Sequence, residues 1–134
     1  MPLDSTDWAE IEVDEPTALL IRARGFIERG WCRKSYARSR LGIPVSTTCQ
    51  WAVSWCAVGA IKAATSTATN REVQKAYARL RGAMGLIDII DFNDRQRSVE
   101  PVLAAFDRAI AAAPAPLVMR GATVAQERPE RVFC

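Results

Sequence analysis

The chain has no histidine among its 134 residues. That removes the side chain that most often activates a nucleophilic Ser or Cys, and the commonest transition-metal ligand. The four cysteines, Cys32, Cys49, Cys56 and Cys134, include no Cys-x-x-Cys pair, so a zinc-type site has no starting point. A P-loop or other glycine-rich phosphate loop is also missing. Basic residues are absent from the first 21 positions, which carry Asp4, Asp7, Glu10, Glu12, Asp14 and Glu15. With no basic stretch leading into an apolar run, that end does not read as a secretory signal, and a cytoplasmic location is the expectation. These absences point away from an enzyme, and no cofactor or metal is expected.

One internal stretch lacks charge altogether. From Leu41 to Ile61 there is no Asp, Glu, Lys or Arg, a length close to that of a bilayer span. Pro44, Ser46, Thr47, Thr48, Gln50 and Ser54 interrupt it, which suits a buried core helix better than a membrane helix. On a helix of about 47–64, capped by Ser46 or Thr47, residues Cys49, Ala52, Val53, Cys56, Ala60 and Ala63 share one face. Trp51, Trp55 and Val58 share the opposite face. A helix apolar on every side belongs inside a bundle, so this one is predicted to be the axis of the core. Cys49 and Cys56 would then lie roughly 10 Å apart, too far for a disulfide between them, and both read as small buried hydrophobes. Cys134 is expected to be accessible, which leaves an intermolecular disulfide open.

Apolar residues make up 49% and charged residues 25%, a globular composition with enough chain for one core. Residues 1–13 read as an acidic arm anchored by Trp8, Ile11 and Val13. Residues 14–113 read as a single helical domain, and 114–134 as a tail whose apolar residues dock on this body or on a partner. The first helix has Asp14 as cap, Glu15 and Pro16 in its first turn, and Leu19, Leu20, Ala23, Phe26 and Ile27 at helical spacing. Gly30 is placed to stop it in a left-handed conformation. A small β-hairpin, about 34–46, is expected to turn at Gly42, with Pro44 confining its second strand to an edge. Thr69-Asn-Arg-Glu72 forms a capping box for a helix over about 70–81. A short helix within 86–92 and a loop over 93–98 follow. Ser98 caps a last helix with an apolar stripe of Val102, Leu103, Phe106, Ala109 and Ile110. The fold class is mainly α: a compact four-to-five-helix domain around the buried central helix.

Three surfaces compete for function. The leading reading is a non-catalytic interaction or regulatory protein with a protein partner or a second copy of itself, using Trp51, Trp55 and Phe133. An alternative is nucleic-acid binding. Residues 22–40 hold seven bases against Glu28 alone, and Arg33, Lys34, Arg38 and Arg40 lie near Trp31 and Tyr36, which can stack on a base. The acidic arm lying over this basic neighbour is the blander explanation of the same charge pattern. A second alternative is a small-ligand protein or enzyme using Cys32, Asp91, Asn93, Asp94 and Arg97. Asp91-x-Asn93 opens like a calcium loop, but Gln96 stands where that loop needs Gly and Val102 where it needs Glu. An Asx-rich turn is the structural explanation of this cluster.

Four motifs stand in order along the chain: Gly30-Trp31-Cys32, Cys56-Ala-Val-Gly-Ala60, Phe92-Asn-Asp94 and Arg97-Ser-Val-Glu-Pro-Val-Leu103. Together, over about residues 15–112, they resemble a family of small bacterial and phage proteins known as domain of unknown function 6197. The chain departs from that pattern at Phe92, where Trp is expected, and at Ser35, where Gly is common; packing tolerates both. The resemblance implies a compact, mostly helical domain and supplies no activity or site residues. It also implies a chain encoded by a phage or mobile element that acts by occupying the surface of a host protein.

Overall fold

The computed structural model describes residues 13–66 and 68–112 of the chain. Expectations for Trp8, Ile11, Phe133 and Cys134 lie outside them. The described residues fold into five helices and one small antiparallel sheet. Helix α1 spans Glu15–Arg29 and begins as predicted, with Asp14 accepting from the Thr17 N–H and Pro16 in the first turn. The Thr17 hydroxyl also donates to Asp14, and Arg79 of a later helix pairs with that carboxylate at 2.6 Å. Burial pushes the Asp14 carboxyl up, but the hydrogen bonds from Thr17 and Arg79 outweigh it and hold it below its ordinary value.

Strand β1 (Ala37–Arg38) pairs with strand β2 (Ser54–Trp55) in the register Ala37 to Trp55 and Arg38 to Ser54. The predicted hairpin is therefore only partly right. Arg38 does bridge to Pro44 across the Gly42 turn, where φ is +81°, but the main partner of β1 comes from farther along the chain. Trp55 also bridges in parallel to Trp31.

The central helix is the larger correction. Helix α2 occupies only Ala57–Ala64 of the predicted 47–64. Before it, Cys49 N–H bonds to Ser46 O and Ala52 N–H to Cys49 O in successive turns. Val53, Ser54 and Trp55 then run extended. Their backbone groups bond to Arg38, Gly30 and Cys32, a tertiary ladder that outcompetes helix continuation. Neither Ser46 nor Thr47 caps α2; Cys56 does, its sulfur accepting from the Gly59 N–H at 3.3 Å. The part that is helical behaves as expected of a segment apolar on all sides. Ala57, Gly59, Ala60, Ile61, Ala63 and Ala64 are buried, and only Lys62 is exposed.

Helix α3 (Asn70–Ala83) opens with the Thr69–Glu72 capping box. Helix α4 (Ile89–Arg95) is capped by Asp88 and takes in residues expected to be loop. Helix α5 (Glu100–Ala111) starts at Val99 without a side-chain cap, so Ser98 does not serve as predicted. Helix α1 packs against α2, α3, α5 and β2, and α2 also packs on α4. Leu19, Leu20, Ile27, Trp55, Ile61, Leu80, Val102 and Phe106 fill the centre, each worth about 1.5–3 kcal/mol on burial. No helix of the described residues is long and apolar enough to cross a membrane.

Two glycines permit the closest approaches. Gly30 is extended (φ −176°) rather than left-handed, so its role is space: a Cβ there would lie 2.1 Å from Val53 O. At Gly59 a Cβ would lie 1.9 Å from Tyr36 O, the carbonyl that receives the Cys56 N–H. Gly25, inside α1, has no such neighbour. Gly59→Ala is expected to destabilise the fold by roughly 3 kcal/mol, because backbone must move. Gly25→Ala should stabilise it by about 0.5–1 kcal/mol. Urea unfolding midpoints that shift in opposite directions check both.

Candidate functional site

The residues proposed for a ligand site divide sharply. Asn93 is completely buried on the inner side of α4, one turn after Ile89. Its Oδ1 accepts from the Trp31 indole N–H at 2.8 Å and from the Ala57 N–H at 3.0 Å. Its Nδ2 donates to Cys32 O at 3.2 Å and to Asp94 Oδ1 at 3.1 Å. Asn93 thus joins the segment after α1, the first turn of α2, and α4. Asp94 extends the junction, accepting from the Lys34 N–H at 2.8 Å. That bond holds Lys34 in a left-handed conformation (φ +66°), which costs about 1–2 kcal/mol for a residue with a Cβ. Arg33 closes the turn by donating to Gln96 O at 3.0 Å and to Asp94 O at 3.4 Å. Asp91 and Arg97 stay exposed and outside this network.

Cys32 and Cys56 are buried free thiols beside the junction. Burial pushes both up, Cys56 to about 11, so neither is a thiolate near neutral pH. A depression of about 240 Å³ opens above Cys56 between Lys34, Ser35, Tyr36, Ile90 and Asp94. It is smaller than the roughly 300–1,000 Å³ usual for a drug-sized ligand. No group of three or more acidic, Cys or His side chains suited to a metal occurs among the described residues. The Asn93–Asp94 constellation organises backbone.

Three of the four motifs meet here. Gly30-Trp31-Cys32 supplies the indole donor and a carbonyl, Cys56–Ala60 the first turn of α2, and Phe92–Asp94 the amide that joins them. A model described as a family of unknown function (DUF6197) matches residues 12–112. The chain belongs to DUF6197. No curated protein and no solved structure matches it. In this DUF6197 domain, residues of those three motifs form the hydrogen bonds that join the end of α1, α2 and α4.

The basic segment is partly committed as well. Arg38 donates to Gly42 O at 2.8 Å and to Arg33 O at 3.1 Å, and Arg33 is held as above. Lys34 and Arg40 remain exposed. Two of the four bases of residues 33–40 thus have fixed roles in loop structure.

The proposed protein-binding pair also separates. Trp55 is buried, edge-on to Phe26 at 4.7 Å, with its indole N–H on Thr47 O; it is not available to a partner. Trp51 is 60% exposed. The turns over 46–52 break the helical phase that would have placed the two together. Sequence reading missed three further exposed apolar residues, Leu41, Ile43 and Val53. Val45, Ala37 and Trp55 line the core side of the sheet. Side chains alternate along a strand, so Ile43 and Val53, two residues before Val45 and Trp55, continue the same side. They are 54% and 45% exposed, with Leu41 at 82% on the turn between Ser39 and Ile43. The available signal was Leu41-Gly42-Ile43, a turn tip with apolar residues on both sides of its glycine.

Asn93→Ala leaves two buried donors and a carbonyl without partners and is expected to cost about 3 kcal/mol or more. Arg97→Ala should change stability by no more than about 0.5 kcal/mol. Thermal or chemical unfolding of the two variants checks the contrast.

Proposed function

We propose that this DUF6197 domain is a non-catalytic interaction protein whose partner binds the apolar face formed by Leu41, Ile43, Trp51 and Val53. The observation that supports it is exposure. These apolar side chains from two neighbouring segments lie outside the core although buried positions of the same sheet are two residues away. Contiguous exposed apolar side chains with a tryptophan among them are the usual anchor of a protein interface. The nucleic-acid reading has less support, because Arg33 and Arg38 are engaged with backbone carbonyls. The small-ligand reading has less, because Asn93 and Asp94 are engaged by the fold itself.

The bacterial or phage setting implied by the family motifs makes a bacterial host lysate the place to look for the partner. Immobilised full-length protein should retain a stoichiometric protein from that lysate. The double variant Trp51→Ala, Val53→Asp should lose it while unfolding at the same urea midpoint within error. Retention of the same protein by both forms would contradict the reading.

A further inference from the structure

We propose that Cys32 and Cys56 form a redox pair, in which a hydroperoxide converts the two free thiols into one disulfide that locks the exit of α1 to the start of α2. The pairing follows from strand register. Trp31 bridges Trp55 in parallel, with the Trp55 N–H on Gly30 O at 3.0 Å and the Cys32 N–H on Trp55 O at 3.1 Å. The next residues in that register are Cys32 and Cys56, and the backbone at Cys56 is still extended. Neighbouring strands lie roughly 4.8 Å apart, inside the roughly 4.4–6.8 Å between Cα atoms that a disulfide spans. Side chains alternate along a strand, so Ser54 and Cys56 share a side. The Cys32 thiol reaches the Ser54 hydroxyl, which puts it on that same side. Both thiols also feel the Asp94 carboxylate, and Cys56 feels Cys32.

Both sulfurs are free to react, and one has an approach route. Cys32 donates to Ser35 O at 3.4 Å and Cys56 accepts from the Gly59 N–H at 3.3 Å, weak contacts that a disulfide can replace. Cys56 lines the depression of about 240 Å³, which has room for a hydroperoxide. The Cys56 thiolate attacks one peroxide oxygen, the O–O bond breaks, and the departing hydroxide takes up the Cys56 proton as water. Cys56 is then a sulfenic acid. The Cys32 sulfur attacks it, the S–S bond forms, the S–O bond breaks, and hydroxide leaves with the Cys32 proton as a second water. Two thiols thus lose two electrons to one hydrogen peroxide. Burial pushes the Cys56 thiol to about 11, so the first step is slow near neutral pH and gains about tenfold per pH unit below that value. The link spans the junction that Asn93 holds through Cys32 O and the Ala57 N–H, and closes a loop of about 24 residues. The reduced protein holds that junction by hydrogen bonds, and the oxidised protein holds it covalently as well.

The exposed apolar face plays no part in this pairing, so the interaction reading and the redox pair can each fail alone. The full-length protein is treated with hydrogen peroxide, alkylated, and digested with trypsin without reduction. Mass spectrometry should find the peptide 30–33 disulfide-linked to the peptide 41–62, at a rate rising about tenfold per unit between about pH 7 and 9. Cys49 shares the second peptide, so the variant Cys56→Ala must lose the link. Oxidation should also raise the urea midpoint on the order of 1 M, and should not do so in Cys32→Ala. A link that persists in Cys56→Ala overturns the proposal. So does wild-type protein whose two thiols are alkylated or pass to sulfinic acid without linking, or whose midpoint does not rise once the link has formed.

Discussion

One buried amide ties this fold together. Asn93 receives the Trp31 indole hydrogen and the first backbone N–H of α2 on a single oxygen, and returns a hydrogen bond to the Cys32 carbonyl. Each buried donor would cost about 1–3 kcal/mol if left alone, so these three bonds act as one requirement. They fix where α2 begins, how the chain leaves α1, and how α4 lies across both. With α2 started there, its Gly59 admits the Tyr36 carbonyl, and the strand pairing of Ala37 with Trp55 follows. The sheet that results carries exposed apolar residues outside the core, and they are the surface on which the functional proposal rests.

The helices were legible because their signals are local. Asp14 followed by Pro16, Thr69 followed by Glu72, and the stripe from Val102 to Ile110 each lie within one or two turns of chain. The segment 47–56 was not, because its decisive partners are distant in sequence. Nothing within Trp51–Trp55 announces that Gly30, Cys32 and Arg38 will supply its backbone hydrogen bonds. Helical periodicity applied to an extended segment put Trp51 and Trp55 on one face, whereas one is exposed and the other is core. Gly30 shows the same limit: its position was read correctly as the end of α1, but its cause is the nearness of Val53, not a left-handed backbone.

The candidate site was legible in part. Asn93, Asp94 and Cys32 do come together with one another, across about sixty residues of sequence. Their types suggested ligation or catalysis, while their geometry assigns them to holding a turn and a helix start. Three of the four motifs picked out in the sequence converge on the junction. The exposed face had the weakest sequence signal. Leu41, Ile43 and Val53 are ordinary core-type residues, and only the register of the sheet shows that the core ends before it reaches them.

Hydrogen exchange at the Trp31 indole tests the junction most directly. If Asn93 holds the three segments as one unit, that hydrogen exchanges only through global unfolding, with the same denaturant dependence as the urea transition. The Trp51 indole should exchange by local fluctuation in the same sample. A Trp31 indole that exchanges independently of denaturant would show that the junction opens on its own, and would contradict the central role given to Asn93.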